Sequence, residues 1–312
     1  TNEINRDYNQ SIRLNSTYNF SKDRSLGISY IGRLSSDHNS EVRYNSSEFA
    51  YAADRFYARD ADKQGSDLGF DLNLSYSPSA RGKIDFLWIQ NQGSDANDFF
   101  QHYFYGDFDT PNPNIPVRYE RSSASSRNST FLLQGDWTKT ISKKSSFEYG
   151  FKFNSRFFEN TFSYEKQKDG IYQLDRVRSN GFTYQEHIQA AYVSFAHKAK
   201  WAQLDAGLRA EATEIAGGVQ QNYVNLFPSL SLFHPISNSQ SLSFALSTRI
   251  TRPSYKSLNP FISFADPLNL NAGNPALKPE KAVLLELSHV KDFKSLSVSN
   301  SLFYREISGL VG

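Results

Sequence analysis

Apolar and polar residues alternate with a period of two along most of this chain. Phe131, Leu133, Gly135 and Trp137 take turns with Leu132, Gln134, Asp136 and Thr138. A turn, Ile141-Ser142-Lys143-Lys144, follows, and Phe147, Tyr149, Phe151 and Phe153 then alternate with Glu148, Gly150, Lys152 and Asn154. Successive side chains of a strand point to opposite faces, so the pattern predicts a hairpin with one apolar and one wet face. The unit recurs six times, at about 10–20 with 24–35, 67–77 with 82–92, 131–138 with 147–154, 186–197 with 201–215, 222–234 with 240–251, and 280–291 with 294–306. The phase of the segment at 186–197 stays open, because Ile188, Ala190 and Tyr192 compete with Ala191, Val193 and Phe195 for the apolar face.

The connections alternate in length. Short turns fall near 21–23, 77–82, 140–145, 197–201, 235–239 and 291–294, and long polar stretches near 36–66, 93–128, 160–185 and 252–279. The connection near 216–221, on the long side, is short. Phe20, Tyr76, Trp137, Phe147, Trp201, Phe233 and Phe293 crowd beside the short turns. A soluble β-sandwich would also alternate, with its apolar face inward. Its strands usually run five or six residues, however, and unstructured loops of more than about 15 residues are uncommon inside one compact domain. Long strands, aromatic girdles and unequal loops are the features of an antiparallel transmembrane β-barrel, with short periplasmic turns and long external loops. The fold class expected is all-β, with lipid against the apolar face and water against the other. About twelve strands are expected, as one barrel domain spanning 1–312.

Composition agrees. The 312 residues include 25 Phe and 18 Tyr, and no Cys, so neither disulfides nor thiolate metal sites arise. Mean hydropathy is −0.57, which suits strands that are half polar. No run approaches the roughly 18 apolar residues of a transmembrane helix. The formal charge is only +2 and acids and bases are interspersed, which argues against a nucleic-acid partner. Methionine is absent, and no physical account of that is apparent. Thr1 opens no signal segment, so a mature or trimmed chain is expected.

At the fifth and sixth hairpins the sequence becomes specific. Asn225-Leu226-Phe227-Pro228-Ser229-Leu230 is followed by Thr251-Arg252-Pro253-Ser254-Tyr255 and Leu258-Asn259-Pro260-Phe261, then by Asp266-Pro267, Asn269-Leu270, Gly273-Asn274-Pro275 and Leu277-Lys278-Pro279-Glu280. This run resembles the late barrel region of TonB-dependent outer-membrane receptors, in the branch called the outer-membrane β-barrel family. Ala191-Tyr192-Val193 and Gly207-Leu208-Arg209 fit more loosely. Residues 1–180 match in strand and loop pattern alone. The resemblance marks Arg252, Pro253, Tyr255, Asn259, Pro260, Gly273, Asn274, Pro275, Pro279 and Glu280 as a motif loop. It implies a Gram-negative outer membrane, uptake of a scarce chelate, glycan or peptide, and a barrel of about 22 strands filled by a plug. Plug and remaining strands are expected outside this chain, whose end lacks the terminal aromatic usual in such barrels, the alternative being twelve strands that close on themselves. The partners implied are lipid, a plug domain, a TonB-type periplasmic protein and a surface lipoprotein. The runner-up is a non-transporting barrel subunit of an outer-membrane complex, and a passive porin is a third reading. Five prolines between 253 and 279 fix φ and disfavour helix before them, so this loop should be stiff, largely extended and folded over the barrel mouth.

Candidate chemistry is sparse. The six histidines are scattered and no nucleophile motif or phosphate loop is present, so no enzyme, metal or cofactor is expected. Asp60-Ala61-Asp62-Lys63-Gln64-Gly65 with Asp71 is a degenerate match to an oxygen-ligand calcium loop, and a solvated acidic loop is the plainer reading. The aromatic run 99–109, beside carboxylates, suits stacking on a sugar, a peptide or a flat chelate, with Tyr103, Phe104, Tyr105, Asp107 and Phe108 as candidate ligand contacts; a strand pair extended above the membrane, its rings packed on neighbouring loops, is the plainer reading. Asp54-Arg55-Phe56-Tyr57 is a weaker version. Arg13, Arg33, Asp71, Asp85, Asp136, Glu148, Lys152, Asp205, Arg209, Glu211, Arg249 and Glu286 are expected on the wet face, as cross-strand ladders.

Overall fold

A computed structural model of the chain describes residues 2–47, 55–105, 118–262 and 272–309. These form one antiparallel sheet of thirteen strands. In chain order they are β1 (Asn2–Ser21), β2 (Arg24–Ser47), β3 (Arg55–Ser79), β4 (Gly82–Tyr105), β5 (Arg118–Ser142), β6 (Ser145–Lys168), β7 (Ile171–Leu174), β8 (Asn180–Lys198), β9 (Gln203–Gly217), β10 (Gln221–Ser237), β11 (Gln240–Thr251), β12 (Glu280–Asp292) and β13 (Ser297–Ser308). Twelve strands pair with their chain neighbours in order, β6 with β8, while the short β7 adds to β6. One helical turn, α1 (Tyr255–Leu258), lies between β11 and β12. Among the described residues no pairing joins β1 to β13.

The register carries the sequence pattern across the sheet. Tyr18 pairs Leu26, Leu26 pairs Tyr76, Tyr76 pairs Ile84, Ile84 pairs Trp137, Trp137 pairs Tyr149, Tyr149 pairs Val193, and Val193 pairs Leu208. A slip of one residue would turn a strand's apolar set to the other face, so this continuous row fixes every strand from β1 to β9 except the short β7. It also resolves the open phase of β8 in favour of Ala191, Val193 and Phe195. Among the described residues nothing covers this face: Tyr149, Val193 and Leu208 remain 47%, 45% and 47% exposed. A sandwich would have buried them. The buried polar residues Glu186, Glu211, Thr213 and Asn225 all sit on the opposite face, as their pairing positions require.

The short turns fall where expected. Of the four long stretches on the other side, 252–279 lies between β11 and β12 as expected, and the other three are largely strand. The stretches 36–66 and 93–128 are mostly strand, since β2 pairs β3 from Ser25 to Ser47 and β4 pairs β5 from Gly82 to Tyr103. In 160–185, β6 runs to Lys168 and β8 begins at Asn180. At about 3.3 Å per residue, a 24-residue strand such as β2 is about 80 Å long, against a hydrocarbon core of about 30 Å. The apolar face turns polar after Leu34, Leu68, Trp88, Phe131 and Phe153, at Ser36, Ser66, Gln90, Ser129 and Ser155. Backbone pairing continues past that line because the ladder needs only N–H and C=O groups. Alternation ends there because no lipid demands it. The expected irregular loops are therefore hairpin extensions standing above the apolar belt.

The calcium-loop expectation is corrected in the same way. Residues 60–65 lie inside β3 and pair in register with β2 and β4. An extended strand sends alternate side chains to opposite faces and cannot wrap an ion. Residues 225–230 lie within β10, inside the strand expected at about 222–234, with Pro228 opposite Leu208 on the apolar face.

Candidate functional site

The connection from β11 to β12 folds onto the polar face. Its entry is clamped by Arg252. One guanidinium nitrogen, Nη2, donates to Glu211 Oε2 at 2.6 Å and to Thr213 Oγ1 at 3.1 Å, and Nε donates to Tyr223 Oη at 3.2 Å. The other carboxylate oxygen of Glu211 accepts from Arg209 Nε at 2.6 Å. Both oxygens of a largely buried carboxylate are thus held by arginines, which repays much of its desolvation. Next to this cluster the Glu186 carboxylate, 1% exposed, meets Arg156 at 2.5 Å.

Beyond the clamp, Ser254 caps α1 by accepting the Ser257 N–H. Tyr255 stacks on Phe158 with ring centroids 3.8 Å apart. Leu258 is fully buried in a cluster with Phe182, Tyr184, Ile215 and Val219, against which Tyr223 and Leu277 also pack. The face that is polar lower in the sheet is therefore apolar here, under the loop. The returning arm is tied to the outgoing one: Gly273 N–H donates to Asn259 C=O and Asn274 N–H to Ser257 C=O, both at 2.7 Å. A Cβ on Gly273 would run into the Ser257 carbonyl, so that position needs glycine. Gln221 Nε2 holds the Leu277 carbonyl at 2.9 Å. The described arms of the loop fold over as expected, held by these contacts, whereas the helical turn α1 departs from the largely extended course expected of it. Asp266, Pro267, Asn269 and Leu270 lie outside the described residues.

Between this loop and the sheet is a cavity of about 540 Å³. Phe99 of β4, Ala124 of β5, Phe158, Asn160 and Phe162 of β6 and Asn180 of β8 form its wall. Tyr255, Lys256, Ser257, Asn259, Phe261, Ile262, Ala272 and Gly273 form its loop side. The sequence candidates stand as follows. Tyr103 pairs with Tyr57 and Arg118 near the end of β4, but the side chains of Tyr103, Phe104 and Tyr105 fall outside the described residues, as do Asp107 and Phe108. Of the aromatic run, Phe99 reaches the cavity. Of the motif residues, Tyr255, Asn259 and Gly273 line the cavity, while Arg252 and Asn274 hold the loop through the clamp and the Ser257 carbonyl. Pro253, Pro260, Pro275 and Pro279 shape the loop, and Glu280 opens β12. Phe158, Phe162, Tyr223 and Thr213 were not marked by the sequence, because their role appears only once β6, β9 and β10 are laid beside the loop.

Two further polar clusters stand apart. At the outer end of β6, Asp175 accepts from Lys166 Nζ at 2.8 Å and from the Val177 and Arg178 backbone N–H groups. The Lys166 hydrogen bond and these N–H groups hold its carboxyl below the ordinary value of 3.8, against a smaller opposing effect of desolvation. On the sheet, Arg33 and Asp71 form an ion pair, one of the expected cross-strand ladders. Among the described residues no three His, Asp or Glu side chains converge on a metal position.

Comparison with known proteins gives a consistent picture. A family model described as "Outer membrane protein beta-barrel family" matches residues 79–310. The sequence matches no curated protein. Among solved structures, the RagAB peptide importer in its open-open state superposes with a TM-score of 0.57 at 12% identity, over 96% of this chain and 40% of that one. Its closed-closed state gives 0.54 at 10% identity, over the same shares of each chain. The ferric-catecholate import receptor Fiu from E. coli K12 is aligned over 98% of this chain and 57% of its own, at 9% identity and a TM-score of 0.46, too loose a fit to carry weight. The chain thus spans between 40% and 57% of the length of these structures. At such identities the likeness concerns the fold alone.

Proposed function

The chain belongs to the outer membrane β-barrel family, and on that premise we propose that it forms the wall and outer mouth of a TonB-dependent importer of a scarce nutrient. Its place is the Gram-negative outer membrane, with the short turns in the periplasm and the extended hairpins outside the cell. The observation that supports import over passive leakage is the β11–β12 loop. It is clamped at Arg252, seated by Leu258, and lies across the inner face. A porin needs a clear lumen, whereas an importer needs one that opens on demand.

Unpaired edges in hydrocarbon cost several kcal/mol per unsatisfied backbone group. The free edges of β1 and β13 are therefore proposed to pair with further strands of a larger barrel. The charges along the inner wall would face a plug, and energy would come through a periplasmic TonB-type partner. A chelate, glycan or peptide would be the cargo. The tall β2–β6 hairpins give a surface lipoprotein a docking wall. The same hairpins are what favours the second reading, a non-transporting subunit that binds partners.

The test is uptake by intact cells from a mixture of labelled peptides, oligosaccharides and ferric chelates. Deleting the gene should abolish uptake of one class, and a proton uncoupler should do the same in the parent strain. Unchanged uptake of every class after deletion would falsify the importer reading in favour of the partner-binding subunit. Steady open-channel conductance in a planar bilayer would instead revive the porin.

A further inference from the structure

The inner face is wet along most of its length, yet the cavity under the loop gathers five aromatic rings: Phe99, Phe158, Phe162, Tyr255 and Phe261. Seating α1 accounts for Phe158, stacked by Tyr255, and for Leu258. It does not account for Phe261 and Ile262, which are 42% and 44% exposed at the rim of the same cavity. Three amide side chains, Asn160, Asn180 and Asn259, and one cation, Lys256, complete the lining, and no described lining residue is acidic. A concave site of 300–1,000 Å³ with apolar walls and a few polar groups is what small ligands occupy.

We propose that this cavity is a binding site for an aromatic carboxylate, taken either as a free acid or as the aromatic C-terminal residue of a peptide. The ring lies against Phe162 and Phe261, where offset or edge contacts with aromatic walls are favourable. The carboxylate lies at the Lys256 ammonium, and the amides of Asn160, Asn180 and Asn259 serve the polar remainder. Lys256, Asn259 and Gly273 belong to the loop, whereas Asn160, Phe162 and Asn180 belong to the sheet. A bound ligand therefore bridges the two and holds the loop down. The inference rests on the importer reading for its purpose, but its chemistry can be tested apart from it.

The experiment is isothermal titration of the intact protein in lipid nanodiscs, with empty nanodiscs subtracted. The probes are 3-phenylpropionate, 3-phenylpropan-1-ol, propionate and a Gly-Phe dipeptide. Phenylpropionate should bind, propionate should not, and the alcohol should bind about three- to fivefold more weakly, the worth of one exposed charged contact. Lys256→Gln should bring the acid down to the level of the alcohol and leave the alcohol unchanged. Phe261→Ala, on the exposed loop, should weaken both. Binding of the dipeptide at or above the strength of the acid assigns the site to peptide ends, and weaker binding assigns it to free acids. Equal affinity for acid and alcohol, indifference to both substitutions, or no binding of any probe overturns the proposal. Nutrient uptake that persists without probe binding removes this site and leaves the importer. Probe binding without any gene-dependent uptake does the reverse.

Discussion

Arg252 and Glu211, forty-one positions apart in the chain, meet at 2.6 Å on the polar face of the sheet. The pair ties the start of the β11–β12 loop to the middle of β9. Arg209 holds the opposite carboxylate oxygen, so Glu211 keeps one partner if Arg252 is lost. Arg252→Ala should then cost about 1–3 kcal/mol, the loss of charged hydrogen bonds to partly buried acceptors. Arg252→Lys should recover part of this, since an ammonium keeps the charge but lacks the planar fork. Limited proteolysis within 252–262 should accelerate in the order wild type, Lys, Ala, while the strands stay resistant.

Gly273 tests the loop's return arm. Any side chain there meets the Ser257 carbonyl, so Gly273→Ala should separate the two arms. Amide exchange at Gly273 and Asn274, both of which donate across the loop, should rise by tenfold or more, as a loss of about 1.4 kcal/mol requires. Exchange in β8 and β9 should be unchanged.

Much of this architecture was legible in the residues. Strand faces and short turns could be read because lipid on one side and water on the other force a period of two. Strand ends could not, because that demand stops at Ser36, Ser66, Gln90, Ser129 and Ser155 while hydrogen bonding continues. The phase of β8 was hidden for a related reason. Its outer half passes above the belt, where His187 and Gln189 face outward and Phe182 and Tyr184 pack inward beneath the loop, with Ile188 buried on the same face. That the β11–β12 connection is a loop could be read from its prolines, though its helical turn α1 could not. Its seat could not, since Arg252 finds Glu211 only through the registers of β9, β10 and β11.

The outward face makes a quantitative demand. Leu72 pairs Tyr30 and Trp88 near the middle of the apolar belt. Leu72→Arg should destabilise the barrel by about 2–4 kcal/mol. Asn73→Arg, one residue on and facing the lumen, should change stability by less than about 0.5 kcal/mol. Reversible urea unfolding in liposomes would measure both.

Asp175 supplies a pH dependence outside the membrane. Its carboxyl is held below the ordinary value by Lys166 and the Val177 and Arg178 amides. A depressed folded-state value means the stabilisation is fully present above the ordinary value of 3.8 and fades as pH falls through the lower, folded-state value. Exchange at Arg178 and Ser179 should therefore be flat from neutral pH down to about 4, after correction for intrinsic rates, and rise below it. Asp175→Asn should remove the dependence.

The central claim is that the apolar face meets hydrocarbon. Trp88 reports on it most directly, because it lies in the same row as Leu72 and Leu133, deeper than Trp137 beside the turn. A protein retaining only Trp88, with Trp137→Phe and Trp201→Phe, should be quenched strongly by lipids brominated deep in the acyl chain and weakly by aqueous acrylamide. Strong acrylamide quenching with no response to brominated lipid would place that face in water and contradict the account.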